Sequence, residues 1–192
     1  MQFRDITNDK KTRYVLKQDE KCVFFMHNRS GDITFELAGP GAEARIFAVM
    51  TGPDSARRSL RIEERHLAPD TVSSAVVRNV LDDNAALSYE GAVRIERGAV
   101  RSDAVQDIRS LLLSSGASVS AEPALEILEN DVRCRHSATA SPVNQEQLFF
   151  ARSRGLSEQA ARQILVDGFL DEVLHGMRRY SNEVPETLTF LA

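Results

Sequence analysis

The sequence predicts a mainly β protein that ends in a small helical subdomain, and three observations carry this. Short runs of alternating apolar and polar residues recur from about residue 21 to residue 140. Gly, Pro, Asp and Asn punctuate these runs, and at residue 144 the apolar period changes from two to 3.6. The 192 residues are 42% apolar and 27% charged, which suffices for one buried core and excludes a disordered chain.

In "DITFEL" (32–37), Ile33, Phe35 and Leu37 share one parity and Thr34 and Glu36 the other, the period of a half-buried strand. "SLRIEER" (59–65) sets Leu60 and Ile62 against Arg61 and Glu63. "ALSYEG" (86–91) offers Leu87 and Tyr89, and "AVRIERG" (92–98) offers Val93 and Ile95. Turn signals separate them at Gly39-Pro40-Gly41, Gly52-Pro53-Asp54, Pro69-Asp70 and Asp82-Asp83-Asn84. Many short strands at even spacing argue for stacked or sandwiched sheets. Periodicity admits a β-sandwich, a barrel and a β-helix alike, and no clean sequence repeat separates them.

At the helical end, Asn144 caps a first helix over "QEQLFFARSRG" (145–155), with Gln147 three residues on as in a capping box and Gly155 as the C′ residue. Ser157 caps a second helix, in which Ala161, Leu165, Phe169, Val173 and Met177 recur every four residues. Ile164, Leu170 and Leu174 widen this stripe beyond what a short partner helix covers, so part of the hairpin packs on the β body or awaits another protein. Pro185 argues against a long helix in the tail. The expected organisation is a polar extension over 1–20, a β core over 21–142, a helical hairpin over 143–178 and a tail over 179–192.

Charge and composition exclude several classes. The chain carries 24 Lys and Arg against 28 Asp and Glu, a net charge of −4, and no basic run longer than a pair. No nucleic-acid or anionic-membrane surface is expected. Apolar runs stay as short as "CVFFM" (22–26), so no segment spans a bilayer. The charged N-terminal stretch and the two unpatterned cysteines, Cys22 and Cys134, point to a reducing cytoplasm.

"GPGAEA" (39–44) imitates a dinucleotide fingerprint, but the strand-like "ARIFAVMTG" (44–52) follows where a helix is needed, so a tight turn is expected. Asp131, His136 and Ser137 supply hydrolase residue types, yet Ser137 and His136 have opposite strand parity and no nucleophile elbow is present. His27, His66 and His175 are expected to be surface or capping residues. "VRCRH" (132–136) is different. As a strand, it puts Val132, Cys134, His136 and Ala138 on one face, with the Cys134 and His136 Cβ atoms about 7 Å apart. Such a pair suits one soft metal ion or cluster but cannot close a four-ligand site, so further ligands must come from elsewhere.

The wider context of this pair is specific. "PALEI" (123–127), "DVRCRHSAT" (131–139), "EQLFF" (146–150), "SRGL" (153–156) and "GF" (168–169) stand in an order and spacing that resembles the C-terminal core of the SufB/SufD family. These are the scaffold proteins of the SUF iron–sulfur cluster assembly system. Upstream, "LAGPGAEARI" (37–46), "RHLAPDTVSS" (65–74) and "GAVRIERGAVRSDAVQ" (91–106) are also similar, so the likeness covers roughly residues 30–178. It implies a right-handed parallel β-helix followed by a small helical domain.

The resemblance further implies pairing, with a SufB-like scaffold or with a second copy, through the β-helices, and docking of a SufC-like ABC-type ATPase on the C-terminal helices. Leu165, Phe169, Leu170, Val173 and Leu174 are the candidate docking residues. His136 and Cys134 are the candidate ligands of a transient iron–sulfur cluster, on a scaffold that itself catalyses nothing. Two departures stand out. Family members are usually longer, so the chain looks minimal or truncated. Ile108, in "VQDIRSLLLSS" (105–115), stands where SufB carries its essential cysteine, and Arg135 and Ser137 replace the glutamates that flank the SufB histidine. With Cys134 and His136 intact, the chain reads as SufD-like. The competing expectation is a paralogue that docks the ATPase and dimerises without building a cluster.

Overall fold

A computed structural model describes residues 1–52, 56–183 and 185. Its strands wind as a parallel β-solenoid, as expected, and the coil is imposed by register more than by residue identity. Along one side run β1 (Gln2–Asp5), β3 (Lys21–His27), β5 (Glu43–Gly52), β7 (Val72–Leu81), β9 (Asp103–Leu112) and β11 (Arg133–Pro142). Along the other run β2 (Arg13–Leu16), β4 (Gly31–Leu37), β6 (Arg57–His66), β8 (Ala86–Ile95) and β10 (Ser118–Ile127). Glu43, Val72, Asp103 and Arg133 stack directly above one another, one coil per about 30 residues. This spacing varies from coil to coil, which hid the repeat.

The expected turns at 39–41, 69–70 and 82–84 lie at corners of the coil, whereas residues 53–55 lie outside the described residues. Asp70 and Arg101 both adopt left-handed backbone (φ 60° and 59°) at one corner of successive coils. There the Arg101 guanidinium donates to both Asp70 carboxylate oxygens at 2.6 Å. The segment 1–20 corrects its expectation as a polar extension: β1 and β2 form the first coil, because Tyr14 and Leu16 turn inward and pack in the core.

Inward parity follows the sequence reading. Ile33, Phe35, Leu37, Leu60, Ile62, Leu87, Tyr89, Val93 and Ile95 are all buried. The first coils are closed by aromatic contacts among Tyr14, Phe24 and Phe35, with ring centroids 4.9–5.4 Å apart. Toward the last coils the interior becomes polar. His66 corrects its expectation as a surface residue: it is fully buried and satisfied by Thr71 Oγ1 at 2.8 Å and Ser73 Oγ at 2.9 Å. Burial pushes its pKa down to about 4 and that of the equally buried Glu64 up to about 7.

The helices α1 (Gln145–Ser153) and α2 (Glu158–Arg178) match the expected hairpin. Asn144 Oδ1 accepts from Glu146 and Gln147 N–H, and Ser157 Oγ accepts from Ala160 N–H. α2 lies on the outer face of the odd-numbered sheet, its Ala161, Leu170, Val173, Leu174 and Met177 packed with Val23, Phe25, Phe47, Val49, Val80 and Leu111. Gly176 permits this approach, since a Cβ there would sit 2.9 Å from the Phe47 ring. Arg78 adds an ionic clamp, donating to Asp107 at 2.6 Å and to Glu172 of α2 at 3.1 Å. No helix among the described residues is long and apolar enough to cross a membrane.

The packing of α2 corrects part of the docking expectation. Leu170, Val173 and Leu174 are spent on the sheet, and Leu165 and Phe169 pack partly against the same cluster. Leu170→Asp should therefore cost about 3–5 kcal/mol in urea unfolding, because an unpaired carboxylate would be buried. The buried acid and base make a second expectation. His66 contributes stability that is complete above its unfolded pKa of 6.5 and is lost as the pH falls toward 4. Glu64 does the reverse, its contribution complete below 4.5 and lost as the pH rises through 7. The two slopes oppose each other. Between pH 4.5 and 7, the urea-measured stability of Glu64→Gln should gain roughly 3 kcal/mol relative to the change in the parent protein.

Candidate functional site

Among the described residues β11 is the last strand of its sheet and pairs only with β9, in a register that sets Cys134 over Ala104, His136 over Gln106 and Ala138 over Ile108. β10 is likewise the last strand of the other sheet. The final coil therefore presents two ten-residue strands, each with one edge that no described strand pairs. Cys134 and His136 share the inward parity and are half-buried, while Arg133, Arg135 and Ser137 point out and are exposed. Ser137 Oγ donates outside to Asp107 at 2.8 Å, which separates it from His136 and disposes of a hydrolytic triad.

Cys134 packs beside Val93, Ile95, Ala99 and Ala104, and burial raises the pKa of its thiol, with Glu64 and Asp103 adding to the effect. His136 Nδ1 lies 3.2 Å from Gln106 Oε1. Burial lowers the imidazole pKa, so the ring is neutral near pH 7. Its Nε2 is buried and has no hydrogen-bond partner among the described residues. A neutral imidazole with an unengaged nitrogen is the form that binds a soft metal, so His136 fits the expected chemistry. Among the described residues no group of three or more His, Cys, Asp and Glu side chains could hold a metal ion by itself. The pair supplies two donors at most, as the spacing in "VRCRH" implied.

Gln106 was missed in the sequence, as were Glu64 and Gly91. Gln106 Nε2 donates to Glu64 Oε1 at 2.8 Å across the interior, and both side chains are buried. Gly91 leaves space for this amide, because a Cβ there would lie 2.4 Å from Gln106 Oε1. A signal existed: Glu64 has the parity of Leu60 and Ile62, and Gln106 that of Ile108, so each is a polar residue written into an apolar row. Ile108 itself is fully buried, against the underside of Ala138. His175 is on the exposed side of α2 and His27 is half-buried against Thr51 Oγ1, both outside this site.

A second surface lies on the hairpin. Phe149 is 74% exposed, Phe150 60% and Ile164 53%, with Leu156 also exposed. Phe150, Ala151, Leu156, Ile164 and Leu165 line an apolar groove between the two helices, edged by Arg154 and Glu146. Of the expected docking residues only Leu165 reaches this groove.

Comparison with known proteins agrees with this architecture. Residues 20–169 match the family model described as SUF system FeS cluster assembly, SufBD core domain. An iron-sulfur cluster assembly SufBD family protein of Mycobacterium bovis is 31% identical over 137 residues, 71% of this chain and 16% of the relative. The iron-sulfur cluster assembly protein SufD of Escherichia coli is 31% identical over 101 residues, 53% of this chain and 24% of its own length. The protein SufB of Bacillus subtilis is 28% identical over 135 residues, 70% of this chain and 29% of its own. The chain thus spans less than a third of each of these relatives. A solenoid whose last coil carries the Cys134–His136 pair, within a match that runs from its second coil into α2, makes this chain a member of the SufB/SufD family.

Proposed function

We propose that the chain is a scaffold subunit for iron–sulfur cluster assembly, and that it is not itself an enzyme. The observation that carries this reading is His136 Nε2, buried at the last coil with no hydrogen-bond partner among the described residues. The nascent cluster is the cargo. His136 supplies one ligand, Cys134 beside it supplies or supports a second, and the remaining ligands come from a second scaffold chain, SufB-like or another copy. The edges of β10 and β11 that no described strand pairs are where that chain joins, since a long strand edge is a template for further strands. Binding exchanges a proton for iron at the Cys134 thiol, so loading is favoured by a basic partner group or rising pH.

A SufC-like ATPase docks on the hairpin, at the face of α1 that carries Phe149 and Phe150 and at the adjoining Ile164, not at the buried side of α2. Exposed aromatic residues over an apolar groove are the anchors that such an interface uses. The interaction-only reading has one observation in its favour. Ile108 fills its site with an apolar side chain and offers no thiol, so this chain brings no SufB-type cysteine to the interface.

Two experiments separate these readings. His136→Ala should lose most of the iron and sulfide of the anaerobically isolated complex, and His136→Cys, which keeps a soft ligand, should lose less. Equal content in an assembled His136→Ala complex would leave the interaction-only reading. Phe149→Asp should weaken co-purification of a SufC-like ATPase by about tenfold or more while the β-solenoid keeps its thermal midpoint. Undiminished capture would remove α1 from the interface.

A further inference from the structure

The interior of the last coils holds a chain of polar side chains that the cluster-ligand reading does not by itself require. Glu64 on β6, Gln106 on β9 and His136 on β11 come from three different coils and meet inside the solenoid. Glu64 is fully buried, Gln106 nearly so, and neither faces solvent or the outer ion cluster. Burying a carboxyl and an amide in a β-solenoid that elsewhere uses Phe, Ile and Leu is costly unless they are hydrogen-bonded. The arrangement therefore needs a reason.

We propose that Glu64 and Gln106 are positioning residues that fix the His136 tautomer, holding the proton on Nδ1 so that Nε2 carries the lone pair toward the ligand. This rests on the reading of His136 as a cluster ligand. An amide can face either way, and the Glu64 carboxyl oxygen removes that freedom. It accepts from Gln106 Nε2 at 2.8 Å, with the Ala92 carbonyl on the same nitrogen at 3.4 Å. With its amino group committed, Gln106 turns its oxygen to His136, and an oxygen can only accept. Nδ1 must then donate. Nε2 is left as the basic nitrogen, and it is the buried atom that no described group engages.

A Glu64 carboxylate can only accept, and when the carboxyl is neutral and could donate instead, the Ala92 carbonyl, which only accepts, keeps the Gln106 amino group on that side. Gly91 completes the device. Its missing side chain is the space in which the Gln106 amide turns, and Tyr89 closes the far side, 3.0 Å from where a Cβ at 91 would stand. Free imidazole prefers its proton on Nε2, the opposite form, so an acceptor at Nδ1 is what reverses the preference. Hydrogen-bonded partners behind metal-binding histidines commonly act in this way, fixing both ring orientation and basicity.

The test uses the full chain labelled with ¹⁵N-histidine, read at pH 8 by long-range ¹H–¹⁵N correlation. The His136 signals are identified by their loss in His136→Ala. The parent protein should show His136 as the Nδ1–H tautomer. Gln106→Leu should move the tautomer ratio toward Nε2–H by about tenfold, the size of one lost hydrogen bond. Gly91→Ala, which keeps Gln106 but drives a methyl into its oxygen, should move it in the same direction and serves if Gln106→Leu fails to fold. An Nε2–H tautomer in the parent, or an unchanged ratio in a folded variant, overturns the proposal. Iron and sulfide content of the anaerobically isolated complex is the second readout. A shifted tautomer with lowered content supports both readings, whereas a shifted tautomer with unchanged content keeps the positioning role and overturns His136 as ligand.

Discussion

Parallel backbone pairing between successive coils is the constraint on which everything else in this molecule depends. Each strand is held by the coil before it and holds the coil after it, residue over residue, so an inward side chain has a fixed neighbour above and below. Two ladders illustrate the result: Ser73, Ala104 and Cys134 in one, Ala75, Gln106 and His136 in the other. A shift of one residue would turn both candidate ligands to solvent and bring Arg135 inward. The same rule makes the final coil unlike the others, because β10 and β11 have hydrogen-bonding groups with no described strand to meet them.

Within that frame the interior changes character along its axis. The first coils are filled by Tyr14, Phe24, Phe35 and their apolar neighbours, whose burial is stabilising. The later coils hold His66 with Thr71 and Ser73, Asn79 with Ser110, and Glu64 with Gln106. These pairs stabilise little, since burying polar groups and rejoining them by hydrogen bonds nearly cancels. Their worth is orientation. They reach the last coil at His136, where burial lowers the imidazole pKa and raises that of the neighbouring thiol. Both side chains are then neutral near pH 7, so the site does not hold a charge that the interior could not tolerate, and an arriving metal displaces a proton only from sulfur.

The odd-numbered sheet serves both faces at once. Its inner side carries Cys134 and His136, and its outer side carries α2 through Phe47, Val80, Leu111 and the Arg78–Asp107–Glu172 ion cluster. Ser137, one residue from His136, binds the same Asp107. The helical hairpin and the ligand pair are therefore joined by a short run of direct contacts, while α1 keeps Phe149 and Phe150 exposed.

Which side chains go in and which go out follows from residue order alone, since that depends only on the alternation of a strand and the turn of a helix. Ile33, Phe35, Leu60, Ile62, Leu87 and Tyr89 were legible for this reason, as were the caps at Asn144 and Ser157 and the common face of Cys134 and His136. The resemblance of "DVRCRHSAT" and its neighbours selected the parallel solenoid, which periodicity could not. Packing between coils set the rest, because it concerns what an element meets across the coil. It spent Leu170, Val173 and Leu174 on the sheet, drew β1 and β2 into the first coil, and gave His66, which shares the inward parity of Leu60 and Ile62, its partners Thr71 and Ser73. It also joined Glu64 to Gln106 and Gln106 to His136, contacts between residues a coil or more apart, which no local pattern encodes because stacking distance is set by backbone register and not by separation along the chain.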